Sequence, residues 1–298
     1  MSISTWKHAD DREKRGVEEA LIAVLEGRGV RLGDLDVLIE HARRNKILLH
    51  VLRALNVQNH LREAQENSLK ERVRTVQLIA GALRGLDYAF FKLVKPVAYV
   101  PADVDLLVRA GQAVQAAKRL ISLGFEVAVK DPYCVTLVRG GSVVDLYVHP
   151  SLGGAILMDG QRLLEHAGLA EYGGVEVRSL STYAEALVAA AHAVYKEKLY
   201  TLNDYYTVKK WATGETRRLA EELKCEPALE YAMRLNRLVE SAGIRVPYRI
   251  PAGAWAGLLL RKIFEDGLAR STSVNLVRAL ASRRAGRLLT SKLTRETY

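Results

Sequence analysis

The feature that most constrains the fold of this chain is a change in its hydrophobic period, once inwards and once back. Val17–Leu25, Leu32–Ile39, Ile47–Leu55 and the long stretch His60–Leu86 carry apolar residues at three- and four-residue spacing, the mark of amphipathic helices. From Tyr88 the pattern shortens. Tyr88–Val94, Val104–Val108, Phe125–Val129, Val135–Val138 and Val143–Val148 are brief runs of Val, Leu and aromatic residues, which read as strands. Gly140-Gly141 between two of them predicts a hairpin, and Gln112–Leu123 reads as an amphipathic helix closed by Gly124. Val175–Val177, after Gly173-Gly174, adds one more expected strand. Beyond Ser179 the helical period returns. Ser181 is placed to cap a helix through Ala184, Leu187, Val188 and Ala191, with Glu185 near its start to suit the helix dipole. Leu202–Trp211, Thr216–Lys224, Pro227–Ala242, Ala252–Gly267 and Val274–Leu293 follow, with Pro247 and Pro251 marking a linker. The reading is an α+β chain with no internal repeat. A helical region (1–86), a small mixed-sheet α/β core (87–178) and a second helical region with a basic tail (179–298) follow one another.

The 298 residues are 49% hydrophobic and 26% charged, enough apolar content to bury a sizeable core and too much for a disordered chain. The formal net charge is +10, which favours anionic partners such as nucleic acid, nucleotides or an acidic membrane face. That charge is uneven. From Leu268 onwards Arg270, Arg278, Arg283, Arg284, Arg287, Lys292 and Arg295 face one acid, Glu296. Leu276, Leu280 and Leu288 give the segment an apolar side. A docked helix showing Arg278, Arg283, Arg284 and Arg287 would bind RNA or another polyanion with strong salt dependence; a solvated terminal helix is the alternative. Few aromatics lie nearby, so base stacking is not expected. Cys134 and Cys225 are the only cysteines, which argues against a disulfide framework and for a reducing compartment. The first residues show no apolar signal region, and the longest apolar run, Trp255–Leu260, is far short of the ~20 residues of a membrane span. The expectation is a soluble, cytoplasmic protein without membrane contact. Plentiful Arg with only 3 Met points to a thermophilic source.

The chemistry is concentrated in Ala102-Asp-Val-Asp-Leu-Leu-Val108. Residues i and i+2 of a strand share a face, so Asp103 and Asp105 present two carboxylates side by side in an apolar setting. Asp145, in Val143-Val-Asp-Leu-Tyr147, is the lone charge of another apolar strand. Carboxylates brought together repel unless a cation lies between them. Three oxygen donors suit Mg²⁺ or Mn²⁺, and paired ions of this kind serve phosphoryl and nucleotidyl displacement. An Asp-x-Asp pair can also do no more than cap a turn. Other chemistries lack their residues: the cysteines have no metal-ligand spacing, and the histidines show no metal-binding pattern. No Gly-x-Ser-x-Gly elbow or Walker loop is present. Gly27–Gly33 follows no strand and reads as a helix-to-helix connection, and His149 before Pro150 reads as a turn residue. Lys92 in an apolar strand requires a phosphate or carboxylate partner, because an unpaired buried ammonium is costly.

These residues, in this order, resemble the DNA polymerase β-type nucleotidyltransferase superfamily, and within it the uncharacterised bacterial and archaeal nucleotidyltransferases with an N-terminal helical region. The resemblance runs over roughly residues 40–212. It rests on the His41-Ala-Arg-Arg-Asn45 to Leu55 helix, the long helix after it, a strand carrying a Lys, the Asp103-Val-Asp105 strand, a helix ending in Gly-Phe and the Val-Asp145-Leu strand. Ala191-His192 and Leu202-Asn-Asp-Tyr-Tyr206 resemble the helical tail. It implies that Asp103 and Asp105 bind metal and triphosphate and that Asp145 helps deprotonate the attacking hydroxyl. His192, Lys196 and Asp204 fall where that family also has polar residues; on their own they read as helix-surface or buried polar groups. One departure is plain. The superfamily follows its first strand with a Gly-Gly or Gly-Ser pair that opens a phosphate-gripping helix, and here Phe91-Lys-Leu-Val-Lys-Pro96 stands instead. Lys92 and Lys95 are the candidates to replace it as nucleotide ligands. The expected activity is metal-dependent transfer of NMP from an NTP to a hydroxyl or phosphate acceptor. The competing expectation is a catalytically inactive protein of the same fold that binds nucleic acid or a partner.

Overall fold

The computed structural model describes residues 16–29 and 34–281. Four helices lead in: α1 over 16–25, α2 (Leu35–Arg44), α3 (Leu48–Ala54) and α4 (His60–Ala82). Their starts are written locally. Asp34 caps α2 by accepting from the Asp36 and Val37 amides, and Asn59 caps α4 by accepting from Arg62, each satisfying donors the helix cannot. The Gly27–Gly33 segment joins α1 to α2 as expected, although 30–33 lie outside the described residues.

The centre is a seven-stranded mixed sheet in the order β3-β4-β5-β2-β1-β9-β8. Its strands are β1 (Tyr88–Phe91), β2 (Val104–Val108), β3 (Glu126–Asp131), β4 (Cys134–Arg139), β5 (Ser142–Tyr147), β8 (Ala167–Tyr172) and β9 (Val175–Leu180). Helix α5 (Ala113–Ser122) connects β2 to β3. β2 runs antiparallel to β1 and parallel to β5; β1 and β9 are parallel, and the other pairs are antiparallel. Gly140 and Gly141 turn β4 into β5 with φ of 51° and 81°, the left-handed pair that a two-residue hairpin needs.

Between the sheet and the tail come a short hairpin, β6 (Ser151–Leu152) with β7 (Ala155–Ile156), and the one-turn helix α6 (Gly160–Leu163). After β9 follow α7 (Thr182–Ala191), α8 (Leu202–Trp211), α9 (Gly214–Glu222), α10 (Glu226–Glu240), α11 (Ala252–Glu265) and α12 (Gly267–Ala281). Two residues each of β10 (Leu199–Tyr200) and β11 (Tyr248–Arg249) pair antiparallel.

Strand β2 is buried along its length and divides two cores. Val104, Leu106 and Val108 pack with Val76, Ile79 and Leu83 of α4 and Ala116 and Leu120 of α5. Leu107, on the other face, joins Phe91, Tyr147, residues of α1 to α3 and much of α7, α8 and α10. Each such large side chain removed from water contributes roughly 1.5–3 kcal/mol. Since Asp103, Asp105 and Leu107 alternate with the first set, the acids lie on the face that α1 to α3, α7, α8 and α10 cover.

Several expected elements shift. The first strand stops at Phe91, because Lys92 takes a left-handed φ of 59°. The expected 274–293 helix starts earlier, at Gly267, where Asp266 caps it by accepting from the Leu268 amide; 282–298 lie outside the described residues. β8 and the β6–β7 hairpin were not expected. Exposed Gly168 and Leu169 give β8 an edge-strand pattern without alternation, and two-residue strands leave no period at all. Among the described residues no helix is long and apolar enough to cross a membrane.

Candidate active site

Register builds the acid cluster. Asp105 pairs with Asp145 across the parallel β2–β5 ladder, and Asp103 precedes β2 by one residue, two positions from Asp105. Each of the three offers a carboxylate oxygen within 4.8 Å of the others. Asp105 is only 4% exposed, while Asp103 and Asp145 are half-buried.

Each acid is held in place. Asp145 Oδ1 accepts from the Thr136 hydroxyl at 2.6 Å and Oδ2 from the Tyr147 hydroxyl at 3.2 Å. Thr136 is the residue paired with Asp145 across the β4–β5 ladder, and Tyr147 lies two residues on, on the same face. Lys196 Nζ donates to Tyr147 at 3.0 Å. It comes from the segment after α7, where His192–Glu197 widens into a π-helix, a distortion found often at functional sites.

Asp105 Oδ1 meets Lys92 Nζ at 2.7 Å, which supplies the carboxylate partner that Lys92 requires. Burial, with Asp103 and Asp145 adding to it, pushes the Asp105 carboxyl up to about 7, against the pull of Lys92. Burial alone would lower Lys92; Asp105 and Asp103 overcome it, and the ammonium is held above its ordinary range. Asp105 and Lys92 therefore form a tightly coupled buried pair inside an acidic surround.

Lys92 owes its position to α7. Its amide donates to Glu185 Oε1 at 2.7 Å, and Lys95 Nζ donates to Glu185 Oε2 at 3.2 Å. The Tyr99 hydroxyl closes the loop by donating to the Lys92 carbonyl. Glu185 is completely buried, and burial raises its carboxyl against the opposing Lys95 charge. This corrects the reading of Glu185 as a dipole match at a helix start: it is the anchor of the 92–95 turn. Lys95 is correspondingly committed to Glu185, with a side chain 6% exposed. No helix follows β1; residues 92–103 contain no regular element among them.

Lys46 was not anticipated. It lies in the α2–α3 turn at φ 58°, where burial lowers it against the charges of Asp204, Glu197 and Asp103. Asn45 fixes that turn: its Oδ1 accepts from the Leu202 amide at 2.9 Å, while Nδ2 donates to the His41 and Val246 carbonyls. Asp204 completes a capping box with Thr201 at the start of α8, and burial raises its carboxyl. His192 faces Glu197 at 3.5 Å. The Lys46-Ile dipeptide between two helices carries no motif, so only the α2–α3 turn's packing on α8 reveals it. Thr136 and Tyr147 did have a signal, being polar groups two residues or one strand away from Asp145.

Of the tail arginines, Arg278 is exposed near the end of α12; Arg283, Arg284 and Arg287 lie outside the described residues. His149 is a turn residue with a bond of its own, accepting from the Gly160 amide at 3.0 Å.

Three buried or half-buried carboxylates with one ion-paired lysine among them form an oxygen-rich, net-negative donor set, which fits a hard divalent cation. No protein-family model and no curated protein matches the chain. Among solved structures it is similar to the solution structure of the antibiotic-resistance factor ANT(2'')-Ia, at 17% identity and a TM-score of 0.31, over 58% of this chain and 95% of that one. At that score no residue role is carried across.

Proposed function

We propose that this protein is a metal-dependent nucleotidyltransferase that moves NMP from an NTP to a hydroxyl or phosphate acceptor, breaking the α–β phosphoanhydride bond with pyrophosphate leaving. The observation that carries the reading is the convergence of Asp103, Asp105 and Asp145 within 4.8 Å on one face of the central strands. Asp103, Asp105 and Asp145 would hold Mg²⁺ or Mn²⁺, which stabilises charge developing on transferring phosphate oxygens. Asp145, its rotamer set by Thr136 and Tyr147, accepts the proton from the attacking hydroxyl. Lys92, with Lys95 behind it on Glu185, stands where the fold has no glycine-opened helix, and offers a point charge to the phosphates. On this reading the 87–178 core carries the chemistry, the 1–86 and 179–298 regions add Lys46 and Lys196, and Arg278 with its neighbours Arg283, Arg284 and Arg287 holds RNA.

The test is transfer of label from α-labelled NTPs to total RNA or protein with Mg²⁺ or Mn²⁺. Activity should fall at least about a thousandfold in Asp103→Asn and Asp105→Asn; transfer that survives both substitutions ends the reading.

A second reading is favoured by one contact, the 2.7 Å ion pair between Lys92 and Asp105. An ammonium already balances the most buried acid, as it would in a catalytically inactive protein of this fold that binds nucleic acid or a partner. Titration with Mn²⁺ separates the two: calorimetric binding that vanishes in Asp105→Asn supports the enzyme, and no binding supports the inactive module.

A further inference from the structure

Helix α4 carries three cations in five residues, Lys70, Arg72 and Arg74, and none forms an ion pair with a described carboxylate. Lys70 and Arg74 are exposed and one turn apart, a like-charge spacing that is unfavourable on a helix. Both line a cleft of about 730 Å³ between α4, the 93–99 segment and the β8–β9 turn. Arg72 reaches the residue before the acid cluster, where its Nη2 donates to the Ala102 carbonyl at 3.0 Å. Its Nε and Nη1 are buried and meet no acceptor among the described residues. The same holds for the hydroxyl of Tyr172, a cleft residue that is 7% exposed. The Arg72 charge acts on that hydroxyl, partly offsetting the burial that raises it. Tyr99, also in the cleft wall, donates to the carbonyl of Lys92, whose ammonium pairs with Asp105 at 2.7 Å, so the cleft and the acid cluster adjoin.

Buried donors are almost always satisfied in folded proteins, and a guanidinium offers a planar fork of donors matched to phosphate. Here the Tyr172 hydroxyl is unmet in the wall of an open cleft that two unpaired cations, Lys70 and Arg74, also line, while Arg72 stands outside that lining. We infer that the α4 cleft is a binding site for a phosphate-bearing ligand, held by Lys70, Arg74 and Tyr172. The assignment of this ligand as a substrate rests on the transfer reading; the phosphate chemistry does not.

The experiment is calorimetric titration of the full chain with inorganic pyrophosphate without divalent cation. Wild type should bind, with affinity falling as salt rises. The exposed pair Lys70→Gln/Arg74→Gln should weaken binding at least about tenfold, with Tyr172→Phe weakening it less. Absence of binding to the wild type, or binding unaffected in every variant, overturns the inference. Competition by a 5′-phosphorylated RNA oligomer assigns the phosphate to the acceptor strand. Pyrophosphate binding indifferent to that RNA assigns it to the nucleotide; either outcome upholds the site. The two readings fail separately. Absent NMP transfer with pyrophosphate still bound in the cleft ends the transfer reading alone. Intact transfer with pyrophosphate binding insensitive to the cleft variants ends this inference alone.

Discussion

Lys92 combines two unfavourable states that other residues make tolerable. A left-handed backbone costs a non-glycine residue about 1–2 kcal/mol, and a buried ammonium costs more unless paired. Glu185 accepts its amide and Asp105 takes its charge. Removing one member of such a pair leaves the other charge uncompensated, which costs about 3–5 kcal/mol. Lys92→Met should therefore lower thermal stability in metal-free buffer. With three acids left unbalanced, Mn²⁺ should raise its melting temperature more than it raises that of wild type. Equal shifts in the two proteins would break the link between Lys92 and a cation site. His149 gives a separate signature. Burial, against Asp159, lowers its pKa, and Nδ1 must stay unprotonated to accept from Gly160. The unfolded chain then takes up a proton near pH 6.5 that the folded chain resists. Stability from this group is complete above that pH and is lost as pH falls through it towards the lower folded value. In His149→Asn, whose side-chain oxygen can replace Nδ1, urea midpoints between pH 7 and 5 should fall less steeply than in wild type.

Among the elements, α12 shows how a tail is fastened. Thr272 accepts the Ile156 amide at 2.9 Å, and Asn275 Nδ2 donates to the Gly154 carbonyl at 3.1 Å. Gly154 has φ 80°, and a Cβ there would lie 2.9 Å from Asn275 Cβ and 3.1 Å from Pro132 Cγ. Gly154→Ala should cost about 1–3 kcal/mol through overpacking and backbone strain. Amide exchange should accelerate selectively in 267–281, and uniform acceleration along the chain would show that α12 is not docked through this turn. None of this is visible in the sequence, where Gly153-Gly154 is one more turn signal. What was visible followed a strong period or a cap: α4, α5, α8, β2 and the β4–β5 hairpin begin and end close to where spacing and glycine placed them. The Asp103, Asp105 and Asp145 grouping was legible too, because a lone acid in an apolar strand stands out against its neighbours. Lys46 and Arg72 were not, since each matters only through a partner more than 25 positions away, and helices α2 to α4 display many basic residues of equal appearance. Glu185 was visible and misread, because an acid in a first helical turn has a local explanation that conceals a tertiary one.

At the scale of the molecule, the acid cluster lies on the sheet face where one apolar core runs from α1 through Phe91, Leu107 and Tyr147 to α10. Lys46 comes from before the sheet, Lys92 and the acids from within it, and Lys196 from after it, so the surround of the site exists only when all three stretches are docked. Asn45 is the tie that can be cut most cleanly. It is wholly buried, and its three hydrogen bonds reach α2, α8 and the segment before β11. Asn45→Leu keeps the branched outline, adds volume to a wholly buried site, and leaves the Leu202 amide and the Val246 carbonyl without that partner, at about 1–3 kcal/mol for each unsatisfied group. The substitution should lower the urea midpoint while far-UV dichroism and tryptophan fluorescence still change together. With Trp6 replaced by Phe in both proteins, Trp211 and Trp255, in α8 and α11, report the C-terminal helices, whereas dichroism reports the whole chain. If the two signals separate in wild type, the core is not one cooperative unit, and the helical regions serve the site as independent flanks. If they coincide in wild type and separate only in Asn45→Leu, that asparagine couples the lysine-bearing turn to the rest. Under the proposed transfer function, NMP transfer should then fall with the fraction of chains in which α2 and α3 remain docked.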